Sequence, residues 1–207
     1  MFMRKLILLV TIIALISITA CTSTSETTKK ISLEDAPDIL NLSLLLPSRF
    51  EHLDAVSEGF SKADMGFTSK DPVSEVQLYM SEDPFQVIYG IMLIYESQVE
   101  RAKFDAMVED EYQMERMIAE SIIEGAGEEG EEITVPNIDI TQPVIGDKAL
   151  LGEGYAESSG FQMGFDVCCF RIQYVYIVIY SVYMSSDKIS LIPLSQEIEK
   201  RINRYSQ

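Results

Sequence analysis

The chain of 207 residues has no tryptophan, only three cysteines and a single histidine, His52. A Ser-His-Asp triad would depend on His52, which stands between Glu51 and Leu53 in a sequence typical of a surface or capping residue. The sequence contains neither Gly-x-Ser-x-Gly nor the two common glycine-rich phosphate-binding motifs. No histidine or cysteine spacing matches a zinc site. We therefore predict no catalytic residues and no cofactor.

Basic side chains are also scarce. Lysine and arginine together number 16 against 33 acidic residues, which gives a formal net charge of −17. A nucleic-acid-binding protein needs a cationic surface to neutralise phosphates, so this composition argues against that class. It also disfavours adsorption of the protein surface to anionic lipid, and it is compatible with cations or basic partners.

The N-terminus carries the most informative pattern. Arg4 and Lys5 precede the thirteen-residue apolar run Leu6–Ile18, which is too short to span a bilayer and is typical of a secretory signal. Ala20 directly before Cys21 resembles the lipobox of bacterial lipoproteins. That resemblance implies that residues 1–20 are removed and that Cys21 is joined to diacylglycerol. An uncleaved N-terminal anchor and an ordinary signal with a coincidental cysteine are the alternatives.

Residues 22–30 are polar and of low complexity, so we expect a disordered tether. About ten extended residues reach roughly 30 Å. The predicted organisation is a lipoprotein signal over 1–20, the lipidated cysteine and tether over 21–36, and a single domain over 37–207. By resemblance to proteobacterial lipoproteins, Thr22 in place of an aspartate fits transport to an outer membrane where the host has one. The expected location is therefore the cell membrane or the outer membrane, facing the extracytoplasmic space.

Apolar periodicity divides the rest of the chain into strands and helices. Alternating or continuously apolar runs predict strands, which cover about 76–80, 85–95, 133–140, 149–156, 164–171 and 174–184. A period near 100° predicts one long amphipathic helix over 98–123, and a closing helix has the stripe Leu194, Ile198, Ile202 and Tyr205. This order predicts an α+β fold with two layers, an antiparallel sheet with both helices on one face.

Two sets of residues are candidates for a site. Glu111 and Glu115 fall inside the apolar arc of the long helix and are weak candidates for holding a metal ion, although both could instead lie in water. The last strand supplies the second set, in which Tyr174, Tyr176 and Tyr180 are assigned to one face that suits a half-wet binding surface. The alternative is a sheet surface partly covered by residues 31–46, which we expect to dock on the domain.

The adjacent cysteines Cys168 and Cys169 are expected to point to opposite faces of a strand. A disulfide between them would be strained. We interpret both as small buried residues.

Three short motifs and the closing helix resemble a known group of proteins. The motifs are Leu46-Pro47-Ser48-Arg49-Phe50, Ile145-Gly146-Asp147-Lys148-Ala149 and Phe170-Arg171-x-x-Tyr174-Val175-Tyr176. Over about 44–205 the chain resembles uncharacterised lipoproteins of environmental bacteria whose domain is similar to the PsbP/Mog1 α+β fold. Proteins of that fold are mostly binding or assembly factors, which implies a function outside catalysis. One departure is Ile172-Gln173 at the hairpin tip in place of the usual Gly-Asn, which indicates a longer or shifted turn.

The sequence thus favours a lipid-anchored accessory or binding protein that is not an enzyme. It contacts the membrane through Cys21, and its protein partner in the envelope is not specified by the sequence. The alternatives are a metal-assisted envelope hydrolase that uses acidic residues and a structural component of an envelope complex.

Overall fold

The computed structural model describes residues 31–53, 73–95, 98–126, 133–158 and 161–206. Within these ranges an antiparallel sheet of seven strands packs with four helices, so the predicted α+β fold class is confirmed. No helix in these ranges combines the length and apolar character needed to cross a membrane. The predicted signal sequence, Cys21 and the residues 22–30 of the tether lie outside the described residues.

The elements of the described chain follow one another in a simple order. They are α1 (Ala36–Leu40), β1 (Glu51–Leu53), β2 (Val73–Glu82), β3 (Phe85–Ile94), α2 (Gln98–Glu109), α3 (Glu111–Ala126), β4 (Ile138–Thr141), β5 (Lys148–Ser158), β6 (Phe161–Ile172), β7 (Val175–Tyr183) and α4 (Leu191–Tyr205). In space the strands run β1-β2-β3-β7-β6-β5-β4. One half of the sheet therefore comes from the chain before α2, and β3 and β7 join the two halves.

Side chains alternate between the two faces of each strand. On β2, Leu78 packs in a cluster with Phe104 of α2 and Met114 of α3. The next residue, Tyr79, belongs to a second cluster that includes Leu194 of α4. We call the first side of the sheet the hairpin face, because α2 and α3 cover it, and the second the C-helix face, which α1 and α4 cover.

The prediction that both main helices lie on one face is therefore corrected. The central strands β3, β6 and β7 are buried along most of their length on both sides. A sheet that is apolar on both faces has to be covered on both faces, because exposed strands of this composition would leave a large apolar surface in water.

The long predicted helix is two helices separated by Asp110. The Asp110 carboxylate accepts a hydrogen bond from the Gln113 N–H at 3.0 Å, which caps the start of α3. The apolar stripe continues on both sides of the break, with Phe104 and Val108 before it and Met114 after it.

The domain begins earlier than residue 37. Ile31 and Ala36 are buried on the C-helix face, together with Ile39 and Leu40 of α1. A Cβ at Gly90 of β3 would approach Leu40 Cδ1 to 3.2 Å, so the missing side chain lets α1 lie close to the sheet. The expectation that residues 31–46 dock on the domain is confirmed, and part of the segment forms the short helix α1.

The β6–β7 hairpin closes with Gln173 and Tyr174, so the turn is shifted by one residue from the expected tip. Gln173 has φ 52°, in the left-handed region. Its N–H donates to the Asp147 carboxylate at 2.7 Å, which holds the turn against the loop before β5.

Candidate functional site

A group of charged and polar side chains on the C-helix face is the strongest candidate for a site. We call it the Lys188 cluster; its members are Glu153 of β5, Asp166 of β6, Tyr183 of β7 and Lys188. The strand register places Glu153 opposite Asp166 and both on the same face as Tyr183. Lys188 reaches this row from the linker between β7 and α4, where the chain turns back over the sheet.

Lys188 Nζ is the centre of the cluster. It lies 2.8 Å from Glu153 Oε1, 2.8 Å from Asp166 Oδ1 and 3.0 Å from the Tyr183 hydroxyl. The Tyr183 hydroxyl is also 3.0 Å from Asp166 Oδ1. An ammonium has three N–H donors, so these three oxygens satisfy all of them.

The position on β6 that pairs with Tyr183 has no room for a side chain. The ring of Tyr183 lies over Gly164 of β6, and a Cβ there would come within 2.1 Å of a ring carbon. Lys188 Nζ lies 4.8 Å from the centre of the same ring, which adds a cation–π contact. The absence of a side chain at Gly164 therefore lets the Tyr183 ring lie where its hydroxyl reaches both Asp166 and Lys188.

Electrostatics shows what this cluster can do chemically. Burial raises the pKa of the Asp166 carboxyl, although hydrogen bonds from Lys188 and Tyr183 act in the opposite direction. Partial burial acts to lower the pKa of Lys188, but hydrogen bonds to Asp166, Glu153 and Tyr183 outweigh it and raise the pKa above its usual value. Burial likewise raises the pKa of Tyr183. A lysine nucleophile or base needs a lowered pKa, so this ammonium is suited to holding the linker and not to reacting.

The neighbouring residue completes the attachment of the linker. Ile189 donates its N–H to the Gln86 side chain at 3.0 Å, and Gln86 donates to the Ser181 hydroxyl at 2.8 Å. Gln86 and Ser181 are both buried. The linker before α4 is thus fixed by buried hydrogen bonds as well as by the ion pairs of Lys188.

A second polar group, the Arg171 junction, lies at the opposite end of β6. The Arg171 guanidinium donates to both oxygens of Asp105 at 2.9 Å, to Asp147 at 2.8 Å and to the Gln173 carbonyl at 2.9 Å. It joins α2, the loop before β5 and the β6–β7 turn. The junction therefore ties three separate parts of the domain together.

The 31–46 segment has its own set of polar contacts with the sheet and α4. Ile31 donates its N–H to the Tyr174 hydroxyl at 2.7 Å, and Leu42 donates its N–H to the Tyr79 hydroxyl at 3.0 Å. Arg201 of α4 donates to main-chain carbonyls at the end of α1, including that of Asn41. These bonds hold the first described residues of the chain on the domain.

We predict that Tyr174→Phe lowers the free energy of unfolding by about 0.5–1.5 kcal/mol, because the Ile31 N–H loses its acceptor in a partly buried position. Urea denaturation followed by circular dichroism measures the loss. Tyr112→Phe, at an exposed tyrosine of α3, is the control and should leave the midpoint unchanged. Equal midpoints for the two variants would show that the bond does not hold the segment.

The prediction that Tyr174, Tyr176 and Tyr180 share an accessible binding face is wrong. Tyr176 and Tyr180 lie on one face, but it is the hairpin face, and both are buried in the core under α2 and α3. The Tyr176 ring makes edge contacts with Tyr95 and Phe104. Tyr174 lies in the turn and packs on the other face, where it contacts Ile31. Burial therefore removes Tyr176 and Tyr180 from any exposed binding surface.

Glu111 and Glu115, the weak candidates for a metal site, lie in different environments. Glu111 is exposed at the start of α3 and accepts a hydrogen bond from Gln142 at 3.4 Å, whereas Glu115 is half-buried. Among the described residues no three histidine, cysteine, aspartate or glutamate side chains are grouped so as to hold a metal ion.

The two adjacent cysteines and the single histidine lie in the kinds of environment that the sequence predicts. Cys168 and Cys169 are buried, unpaired thiols on opposite faces, as predicted; Cys168 accepts a hydrogen bond from Ser195 at 3.2 Å. His52 is exposed in β1, with its ring 5.0 Å from that of Tyr79, as expected for a surface residue.

Comparison with models of known protein families and with curated proteins gives no match for this chain. The resemblance to lipoproteins with a PsbP/Mog1-like domain therefore stays a prediction from sequence motifs.

Proposed function

We propose that this protein is a lipid-anchored binding or accessory protein of the cell envelope and is not an enzyme. Cys21 attaches it to the cell membrane or the outer membrane. The domain faces the extracytoplasmic space, where it takes part in an envelope process by contacting a protein partner.

The sequence around Cys21 carries this proposal. A basic start, a thirteen-residue apolar run and Ala20-Cys21 precede nine polar residues, and the chain then joins the folded domain at Ile31. A compact domain that begins only ten positions after the proposed lipid attachment is held close to the membrane. Its own helices need not cross the bilayer, because acyl chains supply the attachment.

The chemistry of the Lys188 cluster supports a role outside catalysis. Its ammonium is saturated by three oxygens, and its pKa is raised, so it stays protonated at neutral pH. Burial raises the pKa values of Cys168 and Cys169, that of Cys168 to about 11, so neither buried thiol is a ready nucleophile.

Replacement of Cys21 tests the anchor. Cells that produce the wild-type chain and are fed a radiolabelled fatty acid should yield a labelled protein in the membrane fraction. Cys21→Ala should lose the label completely, because the acceptor thiol is gone. Cys168→Ala is the matched control, since it removes a buried cysteine and should keep the label. An unlabelled wild-type protein in the soluble cytosolic fraction would overturn the proposal.

Crosslinking in intact cells tests the binding role. The wild-type chain should be recovered in a covalent complex with a defined envelope protein, and Cys21→Ala should lose that complex along with its membrane attachment. A wild-type chain that yields no specific crosslinked protein under conditions that crosslink a known envelope complex would argue against the binding role.

A further inference from the structure

The point at which the chain enters the domain also defines one end of the sheet. Ile31 donates its N–H to Tyr174 in the β6–β7 turn. That turn is bound to Asp147 through the Gln173 N–H at 2.7 Å, so the 142–147 loop lies beside it. Gln142 of this loop in turn contacts Glu111 at the start of α3 at 3.4 Å. We call this side of the domain the entry end.

The entry end carries three large apolar side chains that are strongly exposed. Four large apolar residues in the described part of the chain are at least 68% exposed, namely Leu33, Leu44, Tyr112 and Val144. Three of them belong to the entry end: Leu33 follows Ile31 by two residues, Val144 lies in the 142–147 loop, and Tyr112 follows Glu111. Val144 is 95% exposed. Each of these side chains gains free energy when it leaves water, so an end of the domain that carries three of them favours contact with an apolar phase.

Taking the proposed lipid anchor as given, we infer that the entry end rests on a zwitterionic lipid surface through Leu33, Val144 and Tyr112. The chain between Cys21 and Ile31 reaches roughly 30 Å when extended. The twelve residues of β6 make the sheet about 40 Å long. Because the tether joins the domain at the entry end, that end is always within reach of the bilayer to which Cys21 is attached. The opposite end lies about one sheet length farther along the domain.

Charge selects the kind of lipid. Glu111 and Asp147 are carboxylates of the same end, and the chain as a whole carries a net charge of −17. These charges repel an anionic bilayer, whereas a zwitterionic headgroup imposes no such repulsion. A few apolar side chains of this kind insert only shallowly, at the boundary between headgroups and acyl chains.

The absence of tryptophan makes a direct test possible, because a single introduced indole reports its own surroundings. The lipidated full chain carrying Val144→Trp or Tyr112→Trp is reconstituted into phosphatidylcholine vesicles with and without brominated acyl chains. Both indoles should shift their emission to shorter wavelength and lose emission in the brominated vesicles. Met184→Trp is the matched control: Met184 is 41% exposed and lies beyond the end of β7, at the opposite end of the sheet. Its emission should remain that of an indole in water.

The outcomes separate the two proposals. Fatty-acid labelling and flotation with vesicles, measured on the same samples, report the anchor. If the chain is labelled and floats but Val144→Trp is as little quenched as Met184→Trp, the lipid contact is wrong and the anchor stands. Equal quenching at both ends would also contradict the inference, because the domain would then lie along the bilayer. A shift to shorter wavelength without bromine quenching would assign the surface to a contact with a second copy of the chain and overturn the lipid contact. An unlabelled chain removes the anchor itself.

Discussion

Arg171→Met is expected to lower the free energy of unfolding by about 3 kcal/mol, near the bottom of the range for breaking a buried ion pair. The Arg171 side chain is only 6% exposed, and three parts of the chain depend on it. Its loss leaves Asp105 and Asp147 facing each other without a cation. The estimate is at the lower end because both carboxylates keep some contact with water, which weakens their repulsion.

The measurement is urea denaturation of the purified domain at pH 7, with thermal melting as a second readout. For a chain of this size a loss of 3 kcal/mol corresponds to roughly 6–12 °C in Tm. Arg116→Met is the matched control, because the Arg116–Glu120 pair is 3.7 Å apart with side chains 60% and 62% exposed. It should change the stability by no more than about 0.5 kcal/mol.

Arg171→Lys separates charge from geometry. Lysine keeps the positive charge but cannot donate to both oxygens of Asp105 while also reaching Asp147 and the Gln173 carbonyl. We therefore expect an intermediate stability, between those of the wild type and Arg171→Met. A loss below about 1 kcal/mol for Arg171→Met would mean that the junction does not hold α2 on the sheet.

Local patterns predicted the elements of this fold well, because strand and helix periods are written in consecutive residues. The strand predicted over 85–95 is β3, and the closing stripe of Leu194, Ile198 and Ile202 forms the buried side of α4. Pro193 lies in the first turn of α4, where a missing N–H costs nothing. The edge strand β1 was missed, since three residues are too short to show a period.

The sequence does contain a local signal for the division of the long helix. Asp110 and Gln113 have the spacing of a capping box, in which the first residue caps a new helix. The apolar stripe alone could not reveal the break, because Met114 continues the buried face that Phe104 and Val108 begin.

Helix placement also followed from a pattern already visible in the sequence. The runs over 85–95 and 174–184 are apolar on both sides, which is typical of strands covered on both faces. Strands of this kind require helices on each side of the sheet, which places α4 opposite α2 and α3. The same pattern indicates that Tyr176 and Tyr180 are core residues.

The Lys188 cluster, by contrast, could not be predicted from the sequence. Glu153, Asp166 and Tyr183 share a face only because the strand register pairs β5 with β6 and β6 with β7 as it does. Register between strands depends on packing across the whole sheet. Gly164 was the one local signal, since a glycine inside a strand often marks a close approach.

Lys188→Met is expected to lower the free energy of unfolding by about 2–3 kcal/mol at pH 7, somewhat less than for a fully buried pair, because the lysine side chain is 26% exposed. The variant leaves Asp166 buried, with only the Tyr183 hydroxyl to compensate its charge. Lys200→Met is the control: Lys200 is exposed and pairs with Glu197 at 3.4 Å, so its loss should stay within about 0.5 kcal/mol.

The pH dependence gives this prediction a second readout. Burial raises the pKa of Asp166 in the folded protein above its ordinary value of 3.8. Between 3.8 and the raised value the folded state holds a proton that the unfolded chain has released, so the contribution of this carboxyl to stability falls as the pH rises through that window. Lys188 opposes the shift, and its removal raises the pKa of Asp166 further and widens the window upwards.

The deficit of Lys188→Met relative to the wild type should therefore grow from pH 4 to pH 7. Lys188 itself adds no pH dependence in this range, because its ammonium is protonated in both the folded and the unfolded state well below its ordinary pKa of 10.5. The double variant Lys188→Met with Asp166→Asn removes the buried charge and should recover part of the loss and flatten the profile. A deficit that is the same at pH 4 and pH 7 in the single variant would show that Asp166 is not the group that Lys188 neutralises.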